Sequence, residues 1–300
     1  MFCIETLRNY WELTVISGEK GEGEMLIDHD LHIHTTLSTC CQDPMQTPQE
    51  IIRSCERLGL RTIGFTDHVW QNPHLKPDAW YAPQGPVRFN SLNSALAQIE
   101  TPLRVLRGCE ADTLAPGKYS ITSQFAETLD YVILAANHFH MKRTVSQPAE
   151  FTPAGVGKHM LLMFRSAVQS GFATIIPHVL IPMGWISCYD RAIAAISDTQ
   201  LLDTFHLAAA AGVGIEITPS YLPPEGSTTE KWSIETPVRV LSLAKLAGCR
   251  FVFGSDAHSI DRLEQVKLLD YFVRELDLTG NDIHPIAGGS ASPKALTKTK

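Results

Sequence analysis

Apolar residues in this chain fall in short runs that alternate with longer stretches where they recur every three or four positions. Short runs bounded by turn residues predict buried strands, and the helical recurrence predicts amphipathic helices. The strand candidates are Met25–Ile33, Arg61–Phe65, Arg104–Cys109, Tyr131–Ala135, Ala173–Ile176, Val213–Ile217 and Arg250–Phe253. Helical stretches fit near 88–99, 153–170, 199–211, 235–247 and 259–276. A further helix opens at Thr47-Pro48-Gln49-Glu50 and ends at Gly59. Thr47 suits its N-cap, Pro48 its first turn, and Glu50 the reciprocal place in a capping box. Gly171, Gly212 and Gly248 stand where later helices should stop. Strands alternating with helices imply a parallel sheet, and their number favours a closed or nearly closed α/β barrel over an open sheet.

The ends of the chain read differently. Residues 1–24 lack periodicity and finish in the run Gly18-Glu-Lys-Gly-Glu-Gly-Glu24, which predicts an N-terminal extension. One domain then covers 25–287, and the Ser/Thr/Lys-rich segment 288–300 is expected to be a flexible tail.

Composition narrows the function classes. The chain of 300 residues is 44% hydrophobic and 19% charged, an ordinary globular balance. A net charge of −7 argues against stable nucleic-acid binding, which needs a basic surface, but leaves room for a local phosphate pocket. The cysteines at 3, 40, 41, 55, 109, 188 and 249 have no disulfide-framework spacing, so a reducing cytoplasm is expected. The start of the chain lacks the pattern of a secretory signal. The longest apolar stretch, 175–186, contains Pro177, His178 and Pro182 and is no membrane span. No glycine-rich nucleotide loop follows any strand.

The chemistry lies just after the predicted strands. Asp30-Leu-His32-Ile-His34 ends the first, and its imidazoles share one face of an extended chain. Asp30 is placed to fix their tautomers. Asp67-His68 follows the second run, and Glu110 ends the run Leu103–Cys109. Asn137-His138, Pro177-His178 and Asp256-Ala-His258 repeat the pattern. A single such pair is as readily a solvated strand end as a metal site. Six strand ends bearing His, Asp or Glu instead describe a polynuclear metal centre on a barrel rim, suited to hydrolysis.

These motifs, in order, resemble those of the PHP (polymerase and histidinol phosphatase) superfamily. They are Asp30-Leu-His-Ile-His-Thr35, Gly64-Phe-Thr-Asp-His68, Gly108-Cys-Glu110, Ala136-Asn-His138, Pro177-His178 and Gly254-Ser-Asp-Ala-His258. The resemblance implies a distorted (β/α)7 TIM-like barrel and two or three divalent metal ions, zinc, manganese or iron. It implies one metal on His32, His34, Glu110 and Asp256, and another on Glu110, His138 and His178. A further metal would take His68 and His258 with a ligand from the 38–43 loop. Many members carry His or Asp in that loop, where this chain has Ser38-Thr-Cys40-Cys41-Gln-Asp43. Cys40 is the candidate replacement, and a thiolate favours zinc or iron over manganese. An uninvolved thiol is an equal reading of Cys40.

The expected activity is hydrolysis of a small phosphorylated metabolite or nucleotide by a metal-activated hydroxide. Asp256, His258 and Asp67 are placed in the chemistry, the first two as ligands and Asp67 as an orienter of His68. Lys142 and Arg143 are candidate phosphate contacts, although a solvated charge pair is the plainer reading. His140 is an alternate to His138. The aromatic segment Trp70–Tyr81 reads either as a substrate wall or as a cover for the barrel edge. Glu216 reads as a supporting residue and His206 as helix packing; His29, His74, His159 and His284 carry no pattern. Other readings are a histidinol-phosphate phosphatase, an inactive binding protein on the same scaffold, or an amide hydrolase. The last usually needs a modified lysine that no strand end supplies.

Overall fold

Helix starts follow local capping chemistry. In the computed structural model, which describes residues 27–223 and 232–288, Thr47 caps the helix Pro48–Arg57 by accepting the Glu50 N–H at 3.4 Å. The reciprocal half of that capping box does not form. The Glu50 carboxylate instead accepts from Arg53 at 2.6 Å, a charge-assisted partner one turn away. Thr152 and Pro153 open Pro153–Val168 in the same manner, and Ser197 with Gln200 forms a complete capping box at Asp198–Ala211. Gly212 ends that helix at a φ of 66°, where a Cβ would be strained. The segment expected as one helix near 259–276 is a 3-10 stretch, Ile260–Leu269, followed by the helix Asp270–Glu275. Its buried residues Leu263, Val266 and Leu269 recur every three positions, which suits the tighter winding.

The described strands form two sheets. Strands β1 (His29–Ile33), β2 (Thr62–Phe65) and β3 (Arg104–Arg107) make a parallel sheet in that order. The second sheet uses β4 (Glu110–Ala115), β5 (Lys118–Tyr119), β6 (Ile133–Ala135), β7 (Ile175–Ile176), β8 (Gly214–Ile217) and β9 (Phe251–Phe253). Its order is β5-β4-β6-β7-β8-β9, parallel except for β4 against β5. Glu110 therefore opens a strand rather than ending the one before it. The break at Gly108-Cys109 lies where the chain changes neighbour from β2 to β6.

Isolated parallel bridges, Ile33 with Ala257 and His68 with Glu110, join the two sheets. Among the described residues, hydrogen bonding does not run round as one closed barrel. At one seam β9 stops at Phe253, and Asp256 turns to a φ of 53°, so only a single bridge to β1 forms.

A small inner cluster of Leu31, Leu106, Tyr131, Ile133, Ile175 and Val252 fills the space between the sheets. Tyr131 donates to the Leu31 carbonyl at 2.8 Å. A Cβ on Gly64 would run into its hydroxyl, and one on Gly108 would lie 2.6 Å from its ring. The register of β1 shifts between Asp30 and Ile33, so Leu31 faces this inner cluster while Ile33 joins the main core. That core lies between strands and helices. No described helix is long and apolar enough to cross a membrane. The predicted extension 1–24 and the tail beyond Gly288 lie outside the described residues.

Candidate metal centre

Strand ends from both sheets converge on Glu110, which is buried at the start of β4. Its Oε2 lies 3.3 Å from His32 Nε2, 3.2 Å from His34 Nε2 and 3.4 Å from His68 Nε2. Its Oε1 lies 3.0 Å from His178 Nε2 and 3.4 Å from His138 Nε2. Asp256 Oδ1 faces both His32 and His34 at 3.4 Å. Among the described residues, three groups place one donor atom per residue within 4.8 Å of each other: His32, His34, Glu110 and Asp256; Glu110, His138 and His178; and His34, Cys40 and His258.

The imidazoles are held for cation binding. A histidine can offer a lone pair inward only if its other nitrogen keeps the proton. His32 Nδ1 faces Glu216 Oε1 at 2.6 Å, and His138 Nδ1 faces Asp112 Oδ1 at 2.7 Å. His178 Nδ1 faces Asn137 Oδ1 at 2.8 Å, while that amide's NH2 donates to the carbonyls of His178 and Ile181. The single Ser38 proton goes to Asp67 Oδ1 at 2.7 Å. Ser38 Oγ must therefore accept from His34 Nδ1, 3.1 Å away. Each of these rings turns its Nε2 toward the carboxylates, where it can offer a lone pair once a cation displaces the proton. That arrangement fits divalent metals: imidazole and carboxylate donors suit zinc, iron or manganese, and a thiol among them leans toward zinc or iron. His68 is the exception: its buried Nδ1 has no partner among the described residues.

Without a cation, protons take its place. Burial opposes charge on Glu110, but His68, His32 and the His178 hydrogen bond hold its carboxyl well below the usual range. Asp256 is likewise lowered against burial by His32 and His34. Burial pulls His34 down, yet hydrogen bonds to Asp256 and Glu110 raise it to about 9. Asp112 raises His138 to about 9 against the same penalty. Burial drives His68 to about 3 and pushes the Cys40 thiol up.

Backbone geometry at the site is strained. His178 and Asp256 sit at φ of 32° and 53°, positions that cost of order 1–3 kcal/mol each. The surroundings hold them: His178 N–H donates to Glu216 Oε2 at 2.7 Å, and Asp256 N–H to the His32 carbonyl at 2.8 Å. A Cβ on Gly254 would run into Glu216 Oε1 and lie 2.6 Å from His32 Cβ.

Several expected roles change. Asp30 does not reach an imidazole; the register shift in β1 turns its Oδ1 to the backbone N–H groups of His32 and Ser255. Asp67 does not orient His68. Its carboxylate accepts from Thr35 N–H, Thr35 Oγ1 and Ser38, so it holds the 35–38 turn and acts on His34 through Ser38. His68 stands with Glu110 rather than with Cys40 and His258. Lys142 and Arg143 are exposed on the turn after His138. His140 is exposed and edge-on to His138 at 5.3 Å. Trp80 and Tyr81 pack edge-on to His68, at 5.0 and 6.0 Å, so the aromatic segment does reach the site. His206 is exposed, not packed. Asp112 carries no apolar-run signal of its own; only the i, i+2 spacing of Glu110-Ala-Asp112 places it on the same strand face as Glu110. Asp112 also accepts from the Tyr81 hydroxyl.

Solved structures share this parallel-stranded α/β fold. A proposed histidinol phosphatase from Listeria monocytogenes superposes with a TM-score of 0.58 at 13% identity, covering 78% of this chain and 97% of that one. A histidinol phosphate phosphatase from Lactococcus lactis, solved with zinc, L-histidinol and phosphate, gives 0.50 at 15% identity, covering 82% and 94%. In sequence, a protein named "Probable phosphatase" from Aliivibrio fischeri is 25% identical over 255 residues, 85% of this chain and 87% of its own. The PHP domain profile matches residues 30–218, and the chain belongs to the PHP domain family.

Proposed function

We propose that this protein is a metal-dependent phosphoesterase that releases phosphate from a small phosphorylated metabolite or nucleotide. The observation that carries the reading is Glu110, with one carboxylate oxygen toward His32 and His34 and the other toward His138 and His178. Such a carboxylate can bridge two cations. Bound there, they would lower the pKa of an attacking water and neutralise phosphate oxygens. His32, His34, Glu110 and Asp256 would hold one cation, and Glu110, His138 and His178 another. Glu216, Asp112, Asn137 and Ser38 keep the imidazole lone pairs aimed inward, so the donors need no reorganisation. Lys142 and Arg143 are assigned to the substrate phosphate, and Trp80 and Tyr81 to the wall beside His68. The two sheets, joined by single bridges, are read as an open variant of the distorted (β/α)7 barrel.

The family, and a relative named as a phosphatase, supply the word phosphate; the residues supply a hydrolytic centre. The test is phosphate release from a panel of phosphomonoesters and diesters, histidinol phosphate included, with protein reloaded with manganese, zinc or iron. Metal-dependent release from a few compounds is expected. Asp256→Ala should cut that turnover by roughly 1,000-fold while the fold persists, the scale of losing a main transition-state stabiliser. No release from any compound by metal-loaded protein would overturn the reading and leave a binding role. Unchanged turnover in a folded, metal-counted Asp256→Ala variant would remove Asp256 from the site.

A further inference from the structure

One group of donors at the centre differs chemically from the others. Cys40 Sγ lies 3.0 Å from His258 Nε2, and the His258 ring stacks on His34 with centroids 4.3 Å apart. His258 Nδ1 faces the Asp256 carbonyl at 2.8 Å, and a carbonyl can only accept. The ring proton is therefore on Nδ1, and Nε2 turns its lone pair to the sulfur. The thiol proton fills the space between them, in the place a cation would take. The family pattern would bring His68 here, but His68 stands beside Glu110 instead, and His34 completes the group. The neighbouring Cys41 turns away, its Sγ donating to the His258 carbonyl at 3.2 Å.

We propose that Cys40, His258 and His34 form a sulfur-bearing cation position that prefers zinc to manganese. This rests on the reading of the centre as metal-holding. The groups around Glu110 offer only nitrogen and oxygen, which manganese accepts well; a thiolate ligand shifts preference toward softer cations. Binding replaces the S–H bond with an S–metal bond and releases the proton to solvent. With its Nδ1 engaged by Ser38, His34 has one inward nitrogen and serves one cation at a time. When it joins Cys40, the neighbouring position keeps His32, Glu110 and Asp256, three donors with room for a water.

Cobalt(II), an optical stand-in for zinc, tests this on the full chain. Loaded protein should show a thiolate-to-cobalt charge-transfer band in the near ultraviolet. The band should vanish in Cys40→Ser and persist in Cys41→Ser. Cys40→Asp, which keeps a ligand, should lose the band without losing a metal equivalent. Its zinc affinity at one position should fall at least tenfold while manganese affinity holds or rises. That variant separates a lost sulfur ligand from a failed fold. No band in the native protein, a band surviving in Cys40→Ser, or equal zinc and manganese losses in Cys40→Asp would each overturn the proposal. Phosphate release is scored separately. A band without turnover sinks the phosphoesterase reading alone, and turnover without a band sinks this one alone.

Discussion

Glu216→Gln changes the centre without replacing any proposed cation ligand. Glu216 is fully buried, with Oε1 2.6 Å from His32 Nδ1 and Oε2 2.7 Å from the His178 N–H. Both partners donate, so both carboxylate oxygens accept. Glutamine keeps the shape but replaces one acceptor with an NH2 donor. If that NH2 faces His178, a buried N–H loses its bond, a cost of about 1–3 kcal/mol. If it faces His32, the ring must move its proton to Nε2, the atom that points at Glu110 and Asp256. A protonated Nε2 cannot bind a cation. Either outcome disturbs a supporting partner of the donor set, and such changes typically weaken metal binding by about 10–100-fold. That corresponds to about 1.4–2.8 kcal/mol of binding free energy. Competition with a chromophoric chelator measures it directly, and denaturation of the metal-free variant reports the stability cost. Native metal affinity together with native stability in Glu216→Gln would refute the argument that Glu216 sets the His32 tautomer.

Two further outcomes follow from the same geometry. Gly254→Ala puts a methyl group into Glu216 Oε1 and against His32 Cβ, so overpacking should cost about 1–3 kcal/mol. A denaturation midpoint equal to that of the native protein would show that the loop yields freely. The second concerns protons. His34 and His138 titrate near 9 in the metal-free protein, above the ordinary 6.5. Their protonation thus stabilises the metal-free fold fully below about 6.5, and that stabilisation is lost as pH rises through about 9. Cation uptake at pH 7 must expel these protons, so affinity should climb between pH 7 and 9. Calorimetry in buffers of different ionisation enthalpy reads the release; heats independent of the buffer would contradict it.

The ligand-type residues were legible because each follows a short buried run. Of their supporting partners only Glu216 was. Asp30 stands two residues before His32 and Asp67 next to His68, a proximity that suggests they orient those rings. In the fold both carboxylates instead accept from backbone N–H and hydroxyl groups, while Ser38, Asp112, Asn137 and Glu216 face the imidazoles. Strand β4 is hidden in the sequence for a related reason. Glu110-Ala-Asp-Thr-Leu-Ala115 turns polar side chains into the centre, so it lacks the apolar run that marks the other strands.

Local chemistry thus decided what could be read from the residues alone. Thr47, Thr152 and Ser197 start helices because a cap bonds only three residues away, and glycine ends helices because it accepts a left-handed backbone. The order of ligand-bearing segments is likewise written in the chain. Tertiary packing decided how they meet. The Tyr131 ring against Gly64 and Gly108 sets the spacing of the inner strands, and the turn at Asp256 leaves only one bridge at the seam between β9 and β1. It also brings Cys40 to His258 from 218 residues away and sets Glu110 between two groups of imidazoles. Hydrogen bonds and side-chain contacts reach a few ångströms, so a relation between distant segments exists only once the core has fixed where each strand ends.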